Sequence, residues 1–280
     1  MIHGEKRSVA QLREHYEIEK ELANRLKNAG KKERRGLYSV LYTELLNKVP
    51  HHPINIRTRT GNKADKSLLG ELKTLKKYLN RNRNFLELGK GNHSALAFEI
   101  AKYVKKVYVN QYIKFCAEIQ PENQKADNIE IIDSDIDLAL SPESIDIAFS
   151  KNLIEHLHPD DAKEQLQSIY KALVKGGRYL CITPHCFKGP SDISRDFDSV
   201  ASGFHLKEYT NIELYRLFRN VGFLKINSLV RLKGIYLKLP VYPAIIIEYL
   251  LNPLSFNIKR KLSNSCVLRH ILSICLIARK

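Results

Sequence analysis

The run Phe85-Leu86-Glu87-Leu88-Gly89-Lys90-Gly91-Asn92 passes directly into the helix-forming stretch His93 to Ala101. A short apolar strand that ends in an acid and two spaced glycines, then opens into a helix, is the turn by which α/β sheets bring backbone against a nucleotide-like ligand. Glycine reaches backbone angles closed to other residues, and the helix start behind it offers unpaired N–H groups. Gly-x-Gly alone is common, and a plain tight turn is the competing account.

Strand and helix signals alternate from Phe85 onward. Strands are expected at Asn84–Leu88, Lys106–Asn110, Asn128–Ile132, Ile145–Ser150 and Arg178–Thr183, with helices near His93–Tyr103, Tyr112–Ile119 and Asp160–Leu173. Such alternation implies parallel strands joined by right-handed crossovers, with ligands at the carboxyl ends of the strands. One rim then carries Glu87, Gln111, Asp135, Asn152 and Pro184. Ahead of this core, apolar spacing predicts helices over Ser8–Ala29, Glu33–Val49 and Ser67–Leu79. Pro50-His51-His52-Pro53 breaks the pattern, and Arg57–Lys66 reads as a basic loop. These helices show no chemistry of their own; they cover the sheet or the ligand mouth, or form a partner surface.

The net charge of +16 is unevenly spread. Residues 1–80 hold 18 Lys and Arg against 9 acids, residues 81–204 hold 15 against 18, and residues 205–280 hold 13 against 3. Basic flanks around a near-neutral centre suit an anionic partner such as phospholipid headgroups, nucleic acid or an acidic saccharide, or simply a solvated face. No basic run is interleaved with aromatics in the manner of an RNA-recognition module, which argues against nucleic acid. The five cysteines, Cys116, Cys181, Cys186, Cys266 and Cys275, have no Cys-x-x-Cys spacing. In a chain without a signal-peptide pattern they read as reduced, cytoplasmic core thiols. Cys181, His185 and Cys186 cluster loosely but have no fourth partner for zinc, so no metal site is expected.

Over roughly residues 80–230 the order of pieces resembles the class I S-adenosylmethionine-dependent methyltransferases. The first motif is Glu87-Leu88-Gly89-Lys90-Gly91, and Asp133-Ser134-Asp135-Ile136 follows the third strand. Ser144 to Ser150 stands for the fourth strand, then come Leu153-Ile154-Glu155-His156-Leu157 and Leu173-Val174-Lys175-Gly176-Gly177. The resemblance implies an α/β, Rossmann-like, seven-stranded and mostly parallel sheet with helices on both faces, spanning residues 81–230 behind an N-terminal helical extension (1–80). It implies S-adenosyl-L-methionine as cofactor, with Gly89 and Gly91 under its methionine part and Glu87 nearby. Asp135 would take the adenine amino group, and Asn152 would line the mouth where the methyl group is delivered.

The chain departs from the family's pattern at two points. The acid expected to bind both ribose hydroxyls falls at Asn110 or, better, Gln111. An amide lacks the charge-assisted strength of a carboxylate, a loss of ~1–2 kcal/mol or about ten-fold in affinity. The third glycine is replaced by Asn92-His93. An NAD site fits less well, because its third glycine would fall at Ser94 and no acid closes the second strand.

Methyl transfer from a sulfonium is an in-line displacement, so the protein mainly aligns the acceptor and excludes water. The long segment Thr183–Phe197, continued by Ser202–Thr210, has the length of a functional lid at that rim. A hydroxyl acceptor needs a base, for which His156, His185 and His205 are the candidates, each against the alternative of a histidine that holds a loop. Glu155 is placed to position the acceptor or to satisfy backbone groups. Arg195 and Lys188 are placed to grip an anionic acceptor or to form ordinary surface pairs.

After a helix at Asn211–Val221 and a sixth strand at Phe223–Leu229, residues 231–270 read as an insertion. It is apolar over Leu237–Leu251 and is followed by Lys259-Arg260-Lys261. The run is too short and too interrupted by proline to span a membrane. It either lies in an anionic membrane interface or packs on the N-terminal helices. Ile271–Ala278 is expected as an antiparallel edge strand. The function read from the sequence is methyl transfer to a small-molecule, saccharide or lipid-linked acceptor, in the cytoplasm or at the inner membrane face. A degenerate methyltransferase fold acting as a binding subunit is the alternative, for which Asn92 and Gln111 speak. A nucleic-acid methyltransferase ranks last, because Ser150-Lys151-Asn152-Leu153 stands where an Asn/Asp-Pro-Pro-Tyr motif belongs.

Overall fold

The eight strands of the central sheet are β1 (Asn84–Leu88), β2 (Lys106–Asn110), β3 (Ile129–Ile132), β4 (Ile145–Lys151), β5 (Leu173–Thr183), β6 (Lys225–Leu232), β7 (Ile235–Pro240) and β8 (Ile274–Arg279). They lie in the order β3-β2-β1-β4-β5-β8-β6-β7 in the computed structural model, which describes residues 7–60, 67–89, 95–111, 126–132, 136–232 and 235–280. Strands β1 to β5 are parallel. β8 is antiparallel to both β5 and β6, and β7 is antiparallel to β6. The strand order reverses between β1 and β4, so the crevice at their carboxyl ends is the switch point where such sheets bind ligands.

Two expectations are corrected here. The sheet has one strand more than seven, because residues 235–240 of the apolar stretch pair with β6 as a hairpin. β8 is interior and not an edge: Ile274 to Ala278 are buried on both faces, a pattern that needs a neighbour on each side. The edge on that side of the sheet is β7, where Leu237, Lys238 and Leu239 are exposed.

Helices α1 (Val9–Asn28), α2 (Lys31–Lys48) and α3 (Pro53–Thr60) precede α4 (Ser67–Leu75). The loop expected from Arg57 is therefore helical as far as Thr60. Next come α5 (Ala95–Ala101), α6 (Pro159–Ala172), α7 (Asn211–Val221), α8 (Tyr242–Leu251), α9 (Phe256–Ser263) and α10 (Leu268–Ile271). The helix expected over Tyr112–Ile119 lies outside the described residues. Period-2 alternation sends Leu86, Leu88, Ala148 and Tyr179 to one face of the sheet, where they meet Leu22, Leu41, Leu166 and Phe218 of α1, α2, α6 and α7. Phe85, Val107, Phe149 and Leu180 point to the other face, against Leu75, Leu96 and Ile100 of α4 and α5. Residues 237–251 do not form one segment on the N-terminal helices: the first part completes the sheet, and α8 packs on α7.

The N-terminal extension is joined to the sheet layer by an ion pair. Arg34 of α2 donates from Nε and Nη2 to the two carboxylate oxygens of Asp161, at 2.8 and 2.9 Å. Tyr38 Oη donates to the same carboxylate at 2.7 Å and accepts from the His158 N–H at 3.0 Å. Asp161 sits in the first turn of α6, where the helix dipole favours an anion. Both partners are buried, at 6% and 0% side-chain exposure. Removing one therefore strands the other in low dielectric. Asp161→Ala is expected to cost about 3–5 kcal/mol in urea unfolding followed by circular dichroism.

Candidate active site

The turns leaving β1 and β4 make the floor of the site. Glu87 is buried on β1, in register with Val109 of β2 and Phe149 of β4. Gly89 has φ +83°, and a Cβ there would lie 2.8 Å from Leu153 Cδ1. Only glycine combines that angle with that contact. Asn152, just past β4, also takes a left-handed conformation, with φ +51°, and its N–H donates to the Ile182 carbonyl at 2.9 Å. Asparagine tolerates this region better than most residues, and the bend sends Ile154–His156 into a 3-10 turn along the rim. Asn110 is buried at the end of β2, and half-buried Gln111 beyond it donates its N–H to the Ile132 carbonyl at 3.1 Å. Gly91 and Asp135 lie outside the described residues.

A cleft of about 480 Å³ opens above this floor. Gly89 and Asn152 form one end, His156 and His205 a wall, and His15 and Glu19 of α1 part of the roof, with exposed Arg195 at the rim. The roof holds the loop after β5 in place. Tyr16 Oη donates to Asp198 at 2.6 Å, Lys20 pairs with the same carboxylate at 3.2 Å, and the Tyr16 and Phe197 rings stack at 4.5 Å. The Phe204 N–H donates to Glu19 Oε1 at 2.8 Å. A Cβ at Gly203 would meet the ends of the Glu19 and Asp192 carboxylates, which would have to shift to admit it.

Three titratable groups converge on the inner wall. His156 Nδ1 lies 2.7 Å from Tyr42 Oη and 3.1 Å from the Phe204 carbonyl. His205 Nδ1 donates to Glu208 Oε1 at 2.8 Å. The two imidazoles meet edge to face at 4.7 Å. Glu155 is fully buried; its Oε2 accepts from Thr183 Oγ1 at 2.8 Å. Burial raises the Glu155 carboxyl, against the pull of His205. Burial and the His205 charge push His156 down to about 3, so that ring is neutral at physiological pH. Burial works against charged His205, but the hydrogen bond to Glu208 and the Glu155 and Asp192 carboxylates outweigh it and raise its pKa.

His156, His205 and Arg195 line the cleft and Glu155 lies buried beside the two histidines, whereas His185 and Lys188 stand elsewhere. His185 Nδ1 accepts from the Phe187 N–H at 3.0 Å, and Nε2 donates to Glu248 at 2.7 Å. Glu248 also accepts from the Asn211 and Ile212 N–H groups, so His185 and Glu248 tie α8 to the start of α7. Lys188 donates to Ser273 Oγ at 2.9 Å and to the Arg269 carbonyl, and burial with the nearby Arg269 charge lowers it to about 8. Both line a second, smaller cleft with Arg231 and His270. Tyr42, His15 and Glu19 were not anticipated. The His-x-x-x-Glu spacing on α1 was the only signal for the last two.

Residues 86–181, from β1 through most of β5, match the family described as methyltransferase domain. Over that span the chain is similar to the methyltransferase-domain family, and its sheet has the fold of S-adenosylmethionine-dependent methyltransferases. A phosphoethanolamine N-methyltransferase 2 of Haemonchus contortus, solved with phosphomonomethylethanolamine and S-adenosylhomocysteine, superposes with a TM-score of 0.54 at 17% identity over 84% of this chain and 59% of its own. The same enzyme with S-adenosyl-L-methionine gives 0.51 at 16% identity, over 85% and 59%. This chain thus spans about three fifths of the Haemonchus protein. A SAM-dependent methyltransferase from Archaeoglobus fulgidus gives 0.52 at 17% identity, over 82% of this chain and all of its own. Likeness at this identity is one of fold. No curated protein matches the chain. S-adenosylmethionine is the cofactor of the family, and the left-handed turns at Gly89 and Asn152, facing each other across the switch point beside buried Glu87, fit a ligand lying against the main chain.

The pairing of α1 with the loop is pH-sensitive. Hydrogen bonds from Ser202 and Tyr16, and the Lys20 contact, lower Asp198 to about 2. A depressed carboxylate stabilises the fold fully above its unfolded value of about 4, and loses that contribution as pH falls toward 2. The urea-midpoint difference between the protein and Asp198→Asn is expected to be constant above about pH 5 and to shrink between about pH 4 and 2.

Proposed function

We propose that the chain transfers the methyl group of S-adenosylmethionine to a small polar acceptor held between the sheet and the N-terminal helices. The observation that carries this reading is one cleft that joins Gly89 and Asn152 to the His156 and His205 wall. A volume near 480 Å³ suits a small ligand. The two histidines orient the acceptor, and Arg195 meets an anionic end. Helices α1 to α3 roof the cleft, which favours the exclusion of water that a displacement at a sulfonium needs.

An anionic membrane surface is the proposed place of action. Ala244, Glu248 and Leu251 of α8 face the protein, while Tyr242, Ile246, Tyr249 and Leu250 are exposed, Tyr249 at 79%. Ile258 and Leu262 of α9 extend the apolar area beside Arg260 and Lys261. An apolar face edged with cations is the form of an interfacial helix. Among the described residues no helix is long and apolar enough to cross a membrane.

Calorimetry with S-adenosylmethionine and S-adenosylhomocysteine tests the first proposal. Micromolar binding that Gly89→Arg abolishes is the expected result. No heat at millimolar ligand would overturn it in favour of a degenerate binding subunit. For the second, co-sedimentation with phosphatidylserine vesicles is expected to fall several-fold in a Tyr249→Ser, Leu250→Ser, Lys261→Ala variant. Equal binding by both proteins refutes the interfacial face.

A further inference from the structure

We infer that Glu155, His156 and His205 bind one divalent first-row transition-metal ion at the inner wall of the cleft. The inference rests on the methyl-transfer reading only for the role of the ion. Among the described residues two groups of side chains could converge on a metal: Glu155 with His156 and His205, and His15 with Glu19 and His52. In each the donor atoms lie within 4.8 Å of one another. The ring nitrogens separate the two.

In the outer group both rings have the wrong nitrogen protonated. Arg7 Nη1 donates to His15 Nδ1 at 2.8 Å, so the ring hydrogen sits on Nε2 and is given to Glu19 at 2.8 Å. The Ile54 N–H donates to His52 Nδ1 at 3.2 Å, which likewise places the hydrogen of the neutral ring on Nε2. Neither imidazole has a lone pair left to aim at an ion.

In the inner group both rings are prepared as ligands. His205 Nδ1 faces the Glu208 carboxylate and His156 Nδ1 faces the Phe204 carbonyl. The Glu208 carboxylate and the Phe204 carbonyl only accept, which favours the hydrogen on Nδ1 of each neutral ring; Tyr42 Oη, 2.7 Å from His156 Nδ1, then accepts as well, and an ion would displace the second proton that His205 carries when charged. A carboxylate or carbonyl behind the imidazole is the arrangement that fixes tautomer and ring orientation in metal-bound histidine. Thr183 holds Glu155 Oε2, while Glu155 Oε1 is buried without a hydrogen-bond partner. An unpaired buried carboxylate oxygen is costly and calls for a partner.

The spacing is compatible with closure. Donors at the corners of a triangle with 4.8 Å sides sit about 2.8 Å from its centre, so bonds of about 2.0–2.2 Å need each to move inward by about 0.6–0.8 Å. Two imidazoles and one carboxylate suit zinc, cobalt or iron over magnesium or calcium, which favour all-oxygen sites. His156 and His205 line the cleft, so the remaining coordination positions face the acceptor. There the ion would hold an acceptor oxygen and lower the pKa of a hydroxyl.

The full chain, stripped with chelator and returned to buffer, is titrated with Zn²⁺ and Co²⁺ by calorimetry, with the visible spectrum of Co²⁺ recorded alongside. One ion per chain at micromolar affinity or tighter is expected, with cobalt ligand-field bands. Glu155→Gln and His205→Ala should each weaken binding by ~100-fold or more, and His15→Ala should leave it unchanged. Glu155 is buried, so its variant counts only with a native circular dichroism spectrum; His205→Ala, on the cleft wall, carries the test otherwise. No binding at millimolar metal by the folded protein overturns the site, as does affinity that survives His205→Ala or falls in His15→Ala. Calorimetry with S-adenosylhomocysteine on the same samples keeps the two readings apart. Cofactor binding without metal binding removes the site and leaves methyl transfer standing, and metal binding without cofactor does the reverse.

Discussion

Gly89 and Leu153 belong to the turns that leave two adjacent parallel strands, and the site depends on their touching. With any side chain at residue 89, the turn after β4 would have to lift away from the turn after β1. The 3-10 turn that carries Glu155 and His156 begins one residue after Leu153. The backbone against which a cofactor lies and the wall that faces an acceptor are therefore fixed to each other at a single contact. Both turns leave the sheet through left-handed residues, Gly89 and Asn152, so the geometry is set by backbone conformation before any functional side chain is placed.

The N-terminal helices are fastened at both ends of the cleft they cover. Arg34 and Tyr38 bind α2 to the first turn of α6, which follows the histidine turn directly. Tyr16, Glu19 and Lys20 bind α1 to the loop after β5. The two attachments differ in kind. The first is an ion pair whose side chains are almost fully buried, and the second ends on Asp198, which is about a third exposed. Opening of the roof would thus begin at the loop side while α2 stays docked, a consequence of where solvent reaches the polar contacts.

Much of the sheet was legible in the sequence because its parallel strands are apolar runs bounded by glycine, proline and polar turns. The first two strands fall where the pattern puts them, and β5 begins earlier, at Leu173, through an irregular pairing with β4. β7 was hidden because Ile235 to Pro240 and the helix after it read as one apolar segment, and apolarity alone does not separate a strand from a short helix. The interior place of β8 follows from its two buried faces, which a six-residue run of Ile, Cys, Leu and Ala does not reveal by periodicity. In the site, the neighbours Glu155 and His156 stood out locally. Their company did not: Tyr42 meets His156 across 114 residues, and Glu19 meets Phe204 across 185.

The histidines show why residue type alone could not rank these positions. His185, His156 and His205 looked alike in sequence, each near the carboxyl end of a strand or in the loop beyond. Their difference lies in the second ring nitrogen. His185 uses Nδ1 to accept from backbone and Nε2 to donate to Glu248, so it has nothing left to offer a ligand and serves to hold α8 on α7. His156 and His205 are held at Nδ1, the first by the Phe204 carbonyl and Tyr42 Oη and the second by the Glu208 carboxylate, and both stand within reach of Glu155. A buried imidazole whose two nitrogens are both satisfied is part of the scaffold, and one held from a single side is available for chemistry. Glu155, His156 and His205 stand together where the turn after β4 meets the loop after β5.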